Sequence, residues 1–332
     1  MFDRYLVTGA TGFLGRAVVE LLAAMGARVT ALALPGDPAV RMLPEGVKVI
    51  EGDVCKRESL RAFFRNGGKN VCLIHCAGMV SIRTRPGPQL RRVNVDGTWN
   101  ILSLCRRYDV GKLVYVGSVH AIPEQKKGRV MIEVREFSPK QVSGAYAKSK
   151  AEATAMVLEA AKKGLNACVV QPTGIVGPRD VAMGSMSSMI AAFCKGDLRM
   201  GVRGGYDFVD VRDVARGVVS CCGRGRAGEC YILSGEYISI PQMLKLLARE
   251  TGRKPVRFFA PTWLARAAAP FAEGISMLRH KKPYFTPYAI SVLSSNGRFS
   301  HEKATGALDY MPRPFIITLR DTLTWLNATG RC

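Results

Sequence analysis

The sequence has no apolar run that approaches the ~18 residues of a membrane-spanning helix. It also lacks an N-terminal charged leader followed by a long apolar core. We therefore expect a cytoplasmic protein with no signal peptide and no membrane span. Apolar residues nevertheless make up 48% of the 332 residues, which is enough for a substantial core. At roughly 100–200 residues per domain, the chain has room for one large domain or two small ones.

Cysteine pairs of the C-x-x-C type are absent, and the spacing of a zinc or other metal site does not occur. Several cysteines lie instead in apolar, strand-like runs, where a free thiol behaves as a small apolar side chain. We therefore expect no metal site and buried, reduced thiols at the ten cysteines, which are Cys55, Cys72, Cys76, Cys105, Cys168, Cys194, Cys221, Cys222, Cys230 and Cys332.

Acidic residues are scarce: 26 Asp and Glu stand against 48 Lys and Arg, a formal net charge of +22. The basic excess is spread evenly along the chain with no basic arm, and the sequence contains no recognisable nucleic-acid-binding module. The charge alone predicts weak, non-specific attraction to polyanions. It suits an anionic small molecule, such as a phosphorylated cofactor, equally well. We expect a small-molecule substrate and no specific nucleic acid.

The first half of the chain alternates short apolar runs with helical patterns. Strands are predicted at residues 5–10, 28–34, 47–53, 71–77, 112–118 and 166–173, and helices at 13–27, 56–65, 89–107 and 143–163. Nearly continuous apolar strands separated by helices are typical of a parallel sheet covered on both faces. Right-handed crossovers make this an α/β fold with a doubly wound parallel sheet.

After about residue 173 this rhythm loosens. Strands are predicted at 206–210 and 229–235, and the last hundred residues are mostly helical and rich in proline. We predict a dinucleotide-binding Rossmann domain of residues 1–173 and 205–235. A smaller, mostly helical, mainly C-terminal substrate-binding domain would then comprise residues 174–204 and 236–332.

A glycine-rich turn, TGATGFLG (8–15), joins the first predicted strand to the first helix. Glycines let the backbone turn tightly and approach a pyrophosphate, and a helix N-terminus offers unpaired N–H groups to that anion. The motif follows a strand, opens a helix and starts a βαβ run, which is the context that a dinucleotide site requires. The turn therefore predicts a nucleotide cofactor.

The second predicted strand ends in LALP (32–35), without the acid that commonly binds the ribose hydroxyls of NAD. A missing acid removes repulsion of a 2′-phosphate, which Arg16 or Arg41 is placed to reach. We therefore favour NADP(H), with NAD(H) as the alternative. Asp53, at the end of the third strand, either contacts the adenine or caps the next helix.

Tyr146 and Lys150 stand four residues apart in the helical segment SGAYAKSK, so their side chains share a helix face. A phenol titrates at about pH 10 in water, but an adjacent ammonium and a cationic nicotinamide favour the phenolate. Tyr146 can then exchange a proton with an oxygen while hydride moves at carbon. Ser118, at the end of a strand, can polarise the same oxygen. Tyr108 and Lys112 share the spacing but span a turn, so we expect no site there.

Seven motifs together resemble the extended short-chain dehydrogenase/reductase family, which includes NAD-dependent epimerases and dehydratases. The resemblance covers about the first 235 residues, and the motifs are TGATGFLG, HCAG (75–78), NVDGT (94–98), VGS (116–118), YAKSK (146–150), PTGIVGP (172–178) and FVDVRDVA (208–215). It implies a catalytic triad of Ser118, Tyr146 and Lys150. It also implies a homodimer formed through helices 89–107 and 143–163.

The resemblance further implies a cofactor site that runs from the diphosphate turn to the adenine, the middle of the dinucleotide and the nicotinamide. The residues of this site are Gly9, Thr11, Gly12, Phe13, Leu14, Gly15, Asp53, Val54, Ala77, Gly78, Asn94, Pro172 and Thr173. Asn94 either steadies the central helix or caps it.

At two places the sequence differs from the motifs of particular branches of the family, and these differences limit the reactions that we expect. Ser118 is followed by Val119 and His120, not by the acidic pair that dehydratases use for elimination. Gly174-Ile175 stands where sugar-nucleotide epimerases usually carry an asparagine. PTGIVGP looks more like the reductases of dihydroflavonols and cinnamoyl thioesters and the 3β-hydroxysteroid dehydrogenases, which act on bulky, largely apolar alcohols and ketones.

An apolar substrate pocket would use adaptable methionines, and Met183, Met186 and Met189 are the candidates, although core packing explains them equally well. His120 lies near the cleft and either touches substrate or caps a loop. His75 follows a strand and is interpreted as a core side chain. Segment 261–285 is interpreted as a lid, a weak contact with a membrane surface or a packed helix.

These observations favour an NAD(P)-dependent oxidoreductase that interconverts a secondary alcohol and a ketone, or reduces a related carbonyl, on a bulky, largely apolar substrate. One alternative is a sugar-nucleotide epimerase with tightly bound NAD. A further alternative is a non-catalytic NADP-binding regulator, against which the intact set of serine, tyrosine and lysine argues.

Overall fold

The computed structural model describes residues 2–65, 67–83, 86–125, 128–198, 200–269 and 286–332. A parallel sheet of seven strands, in the order β10-β6-β5-β4-β1-β2-β3, organises the fold. The strands are β1 (Arg4–Thr8), β2 (Val29–Ala33), β3 (Lys48–Glu51), β4 (Val71–His75), β5 (Lys112–Val116), β6 (Ala167–Pro172) and β10 (Cys230–Leu233). The order reverses between β1 and β4, which opens a crevice at the carboxyl ends of these strands. The predicted doubly wound Rossmann sheet is confirmed.

Two smaller sheets lie outside the main one. Strand β9 (Gly205–Asp210) runs between β7 (Gly174–Val176), to which it is parallel, and β11 (Glu236–Ser239), to which it is antiparallel. Strand β8 (Met200–Val202) pairs in parallel with β12 (Phe258–Ala260). The division of the chain into two domains stays a prediction.

The helices flank the main sheet and form most of the C-terminal third. They are α1 (Phe13–Ala24), α2 (Arg61–Phe64), α3 (Gln89–Arg91), α4 (Gly97–Arg107), α5 (Ala145–Lys162), α6 (Ser185–Lys195), α7 (Val211–Arg224), α8 (Ile240–Thr251), α9 (Pro287–Ser294), α10 (Glu302–Leu308) and α11 (Phe315–Ala328). Residues 262–269 are also helical. A π-helical turn (Arg92–Asp96) joins α3 to α4, and 3₁₀ turns lie at Pro38–Met42, Arg57–Leu60, Val119–Ala121 and Pro139–Gln141.

The core has two layers because strand side chains alternate between the two faces of the sheet. Tyr5 and Val7 of β1 point to one face and pack in the cluster that contains residues of α1 and α7. Leu6, between them, packs on the other face with residues of α4 and α5. Both faces are therefore covered, which explains why the strands read as continuous apolar runs.

The expectation of ten reduced cysteines is wrong for one pair. Cys194, in α6, and Cys332 form a disulfide, with their Cα atoms 5.0 Å apart. These two residues are 138 positions apart in sequence, so only the folded chain brings them together. The other eight cysteines are free thiols.

The described helices include none that is long and apolar enough to cross a bilayer. Of the segment 261–285, interpreted above as a lid, surface contact or packed helix, residues 270–285 lie outside the described residues. Its first part is a helix whose Ala265 and Ala269 pack against Val202, Ala260 and Ile290.

Candidate active site

The glycine-rich turn after β1 forms a close cradle. Gly9 has a φ of +63°, and a Cβ there would lie 2.7 Å from the Ala77 nitrogen. A Cβ at Gly15 would collide with the carbonyl oxygen of Gly9. Gly12 precedes α1 without a side chain to cap it, so the first N–H groups of the helix are open to an anionic ligand.

One cavity of about 490 Å³ runs from this turn into the crevice of the sheet. It brings together, on its walls, many of the residues that the sequence predicts for cofactor and catalysis. These residues are Gly9, Gly12, Phe13, Leu14, Gly15, Gly78, Ser118, Tyr146, Lys150, Pro172 and Thr173. The glycine cradle at one end of the cavity suits the diphosphate of a dinucleotide.

Lys150 is buried beneath this cavity in α5. Its Nζ atom donates to the Val116 carbonyl oxygen at 2.8 Å and to the Tyr115 hydroxyl at 3.3 Å. Burial lowers the pKa of Lys150 to about 8. A Cβ at Gly78 would lie 3.3 Å from Nζ, so the loop after β4 passes directly beside the amine.

Tyr146 and Ser118 meet above Lys150. Burial raises the pKa of Tyr146, and a hydrogen bond with the Ser118 side chain lowers it by a smaller amount. The spacing of Tyr146 and Lys150 suggested a lowered pKa for Tyr146. The protein groups alone raise that pKa instead. Ser118 Oγ also accepts from the His120 N–H at 3.2 Å, which holds the turn after β5 in place.

Asn94 links the loop after β4 to α5. Its Oδ1 accepts from the Met79 N–H at 2.8 Å, and its Nδ2 donates to the Met79 carbonyl and to Ser149 Oγ, both at 3.0 Å. Ser149 Oγ in turn donates to the Tyr146 carbonyl at 2.8 Å. Asn94 sits in the π-helical turn, a feature that is frequent at functional sites. It acts here as a brace between loop and helix.

His75 is fully buried and hydrogen-bonded, as a core side chain. Its Nδ1 lies 2.7 Å from Thr8 Oγ1, and its Nε2 lies 3.2 Å from Thr98 Oγ1. Thr98 donates its own proton to the Asn94 carbonyl, so its oxygen accepts from His75 Nε2. Burial lowers the pKa of His75 to about 3, which keeps the ring neutral.

The comparison with known proteins agrees with this geometry. The sequence model of the NAD-dependent epimerase/dehydratase family matches residues 5–233. The chain belongs to this family. It is therefore an oxidoreductase of a nicotinamide-dinucleotide-dependent family, and the resemblance predicted from the seven motifs is confirmed.

Individual members of the epimerase/dehydratase family match over nearly the whole chain. Sterol demethylase protein B of Methylococcus capsulatus is 30% identical over 327 residues, 98% of each chain. The 4-hydroxy-2-methyl-3-oxo-4-farnesyl-3,4-dihydroquinoline-1-oxide ketoreductase of Stigmatella aurantiaca is 29% identical over 334 residues, 98% of this chain and 96% of the relative. The crystal structure of gox2253 superposes with a TM-score of 0.86 at 30% identity and covers 99% of each chain.

Some residues that were predicted for the dinucleotide of this epimerase/dehydratase fold do not line the cavity. Asp53 Oδ1 accepts from the Cys55 N–H at 2.9 Å, so the carboxylate caps its own turn. Val54 packs against Gly97, where a Cβ would lie 2.9 Å from Val54 Cγ2. Ala77 donates its N–H to Thr8 Oγ1 at 3.2 Å. Thr11, within the turn, is also absent from the described lining.

All three candidate methionines contact the core, and two of them also line the cavity. Met186 and Met189, of α6, line the cavity, and Met189 belongs to the core cluster against which Met186 packs. Met183 packs against the same cluster but is not among the described lining residues. Two of the three candidate methionines therefore reach the cavity.

His120 reaches the cavity and meets two residues that the sequence reasoning missed. Its Nε2 lies 3.3 Å from the Tyr206 hydroxyl, and its Nδ1 lies 3.3 Å from the Tyr288 hydroxyl. Burial lowers the pKa of His120 to about 4. Tyr206 shares a face of β9 with Phe208, at the start of the FVDVRDVA motif, so strand alternation could have predicted that Tyr206 faces the cavity. No sequence pattern predicted the position of Tyr288, because it reaches the cavity from α9.

Proposed function

We propose that this protein is an NADP(H)-dependent oxidoreductase that interconverts a secondary alcohol and a ketone, or reduces a related carbonyl, on a bulky, largely apolar small molecule. One observation carries the proposal: Ser118, Tyr146 and Lys150 line the same cavity as the glycine cradle. A proton-transfer group and a dinucleotide site that share one cavity are what carbonyl reduction needs.

The glycine cradle and the open N-terminus of α1 would hold the diphosphate of the cofactor. When bound, the nicotinamide supplies or accepts hydride. Two N–H groups of the Lys150 ammonium bond the Val116 and Tyr115 oxygens within the described chain, which leaves a third for a ribose hydroxyl. Arg16, beside the turn Pro38–Met42, is buried and pairs with Glu20, so the exposed Arg41 of that turn supports the choice of NADP(H) through its positive charge, with NAD(H) as the alternative.

Tyr146 would move the proton. In reduction its hydroxyl donates to the carbonyl oxygen of the substrate, and in oxidation its oxygen accepts the proton of the alcohol. Ser118 Oγ–H would hold the same oxygen and polarise it. The Lys150 ammonium stabilises the negative charge that Tyr146 acquires when it gives up its proton.

The apolar cavity wall supports a bulky, apolar substrate. Side chains that line it include Ile82, Met186, Met189, Phe208 and Val292. Burying such a substrate against them removes apolar surface from water, which is the main source of affinity in pockets of this kind. The names of two relatives, a sterol demethylase protein and a ketoreductase of a farnesylated quinoline, point to the same substrate class.

The Tyr146→Phe variant tests the function. Removing the phenolic proton should lower kcat by about 10²–10⁴-fold, the usual contribution of a positioned acid or base. NADPH binding, measured by nicotinamide fluorescence, should persist. The assay screens NADPH oxidation with steroid, flavonoid and thioester carbonyls.

The matched control is Tyr108→Phe, since Tyr108 and Lys112 repeat the spacing but do not line the cavity. It should leave turnover unchanged. Full turnover in Tyr146→Phe would overturn the assignment. A nicotinamide cofactor that co-purifies and cycles without net release would instead favour the epimerase alternative.

We also propose that the protein is a cytoplasmic homodimer that pairs through α4 and α5. Trp99, on α4, is 59% exposed and offers a partner an apolar contact surface on that helix. The eight free thiols agree with a reducing compartment, whereas the Cys194–Cys332 disulfide is more typical of an oxidising one.

A further inference from the structure

Three polar rings form a cluster on the mostly apolar wall of the substrate cavity. The His120 ring stacks on Tyr206, with centroids 5.7 Å apart and an interplanar angle of 11°, and it meets Tyr288 at 6.0 Å. The three rings come from the turn after β5, from β9 and from α9. Because these elements are distant in sequence, the cluster is assembled by the fold.

Contacts at the start of α9 fix the position of Tyr288 in the cluster. The Tyr288 ring packs on Gly144, where a Cβ would lie 2.7 Å from the ring carbon Cδ2. Gly144 precedes the first residue of α5, the helix that carries Tyr146 and Lys150. Two residues before Tyr288, Thr286 Oγ1 donates to the Ile82 carbonyl at 2.6 Å. The start of α9 is therefore fixed to both walls of the cavity.

The hydrogen bonds within the cluster leave donor and acceptor capacity unused. A neutral imidazole donates from one ring nitrogen and accepts at the other. One of the two phenols therefore donates to His120, while the other accepts and keeps its own O–H proton. In the described part of the chain, the hydroxyls of Tyr206 and Tyr288 have no hydrogen bond except to His120.

We propose that the hydroxyls of Tyr206 and Tyr288, which His120 holds in place, bind a second oxygen of the substrate, an uncharged hydroxyl or carbonyl close to the reacting carbon. This inference rests on the proposed function, because it takes the oxygen at Tyr146 as the reacting one. The His120 ring meets the Tyr146 ring edge-to-face at 5.8 Å, so the second oxygen lies within a few bonds of the first.

The cluster is uncharged at neutral pH, which excludes a carboxylate as its preferred ligand. Burial keeps the pKa of His120 at about 4 and raises the pKa values of Tyr206 and Tyr288 above their ordinary range. Among the described lining residues, the one cation is Lys150, which already serves Val116 and Tyr115. A buried carboxylate without a cation is costly, whereas a neutral oxygen is satisfied by the phenols.

The test compares 1-tetralone with 2-hydroxy-1-tetralone, two ketones of one skeleton that differ by a neighbouring hydroxyl. For the NADP⁺-loaded protein, thermal shift measures binding of each ketone. For turnover, NADPH oxidation gives kcat/KM. We expect the hydroxyketone to stabilise the protein more and to have a kcat/KM about tenfold higher, as for a buried group left without its partner.

The variants are Tyr206→Phe and Tyr288→Phe, with Tyr231→Phe as the matched control. Tyr231 is a buried tyrosine outside the cavity whose hydroxyl accepts from the Arg226 N–H. Each cavity variant should bring the ratio between the two ketones toward one, and the control should keep it. A general loss of stability would lower both values and leave the ratio unchanged.

Tyr146→Phe separates this proposal from the proposed function. It should lose turnover and still bind the hydroxyketone more tightly. If no carbonyl is reduced at all, the proposed function fails, and the thermal shifts still decide about the cluster. Equal shifts for the two ketones, or a preference that survives in both cavity variants, would overturn the second-oxygen site.

Discussion

Asp207 is a buried carboxyl behind the predicted nicotinamide face. It is only 2% exposed, and its Oδ1 accepts from Thr173 Oγ1 at 2.7 Å and from the Gly235 N–H at 2.8 Å. Burial raises the pKa of Asp207 to about 6, although the two hydrogen bonds oppose the shift. Because Thr173 is predicted to flank the nicotinamide, the charge of Asp207 affects both stability and the cofactor site.

Asp207→Asn should therefore change how stability depends on pH. A carboxyl whose folded pKa is raised favours folding in its protonated form, so the wild type loses stability as pH rises from about 4 through 6. Asparagine does not titrate and keeps an oxygen acceptor. The free energy of unfolding of the variant, relative to wild type, should rise by up to about 3 kcal/mol across that range and then level off.

Urea unfolding at several pH values between 4 and 7.5 measures the difference. Asp197→Asn, at an exposed position, is the control and should show no such slope. Parallel stability curves for wild type and Asp207→Asn would contradict the raised pKa.

Residues within one motif were predictable, and residues that meet only after folding were not. Ser118, Tyr146, Lys150 and the glycines carry local signals, because a turn or a helical spacing decides their geometry. Tyr288 and Asp207 have no neighbours in sequence that reveal their role. At Tyr146, burial raises the pKa although the nearby lysine predicted a lowered one. Sequence alone does not show this, because desolvation depends on the whole fold.

At the scale of elements, the periodicity of residues 89–107 predicted one helix, and the structure has α3, a π-helical turn and α4 in that range. Apolar spacing detects the helix but not the extra residue per turn, and this turn is what carries Asn94. The end of β2 shows a similar limit. That strand has no acid of its own, yet Glu51 of β3 reaches it and accepts from the Gly36 N–H at 3.1 Å.

The 3₁₀ turn Pro38–Met42 should decide between the two cofactors. It carries exposed Arg41, whereas nearby Arg16 is buried, donates to the Met42 sulfur at 3.4 Å and pairs with Glu20. Glu51 acts against Arg41. If Arg41 prevails, Arg41→Ala should weaken NADPH binding about tenfold, the effect of one charged hydrogen bond, and change NADH binding less than twofold.

Titration of the nicotinamide fluorescence gives both dissociation constants. Arg61→Ala, which removes an exposed arginine paired with Glu58, is the control for overall charge. An equal loss of affinity for NADPH and NADH, or no loss of affinity, would show that this turn does not bind the 2′-phosphate.

At the scale of the whole molecule, alternation of strands and helices was enough to predict the doubly wound sheet. The order of its strands follows from right-handed crossovers, which leave few topologies to choose from. Long-range pairings were less accessible: the joining of β9 to β7 and β11, and the disulfide between Cys194 and Cys332, depend on packing. Assembly belongs to this class, because exposure is visible only on the folded surface.

The exposed indole of Trp99 makes the proposed dimer testable. Arg91 bonds Glu152 at 2.6 Å, which ties α3 to α5. A glutamate at the centre of an apolar interface would be desolvated without a partner, so Trp99→Glu should turn the dimer into a monomer. Sedimentation velocity at micromolar concentration measures the mass of the species in solution and so distinguishes dimer from monomer. Trp263→Glu, at an indole that is 71% exposed outside α4 and α5, should leave the dimer intact. A monomeric wild type, or dissociation by the control variant alone, would place the interface elsewhere or remove it.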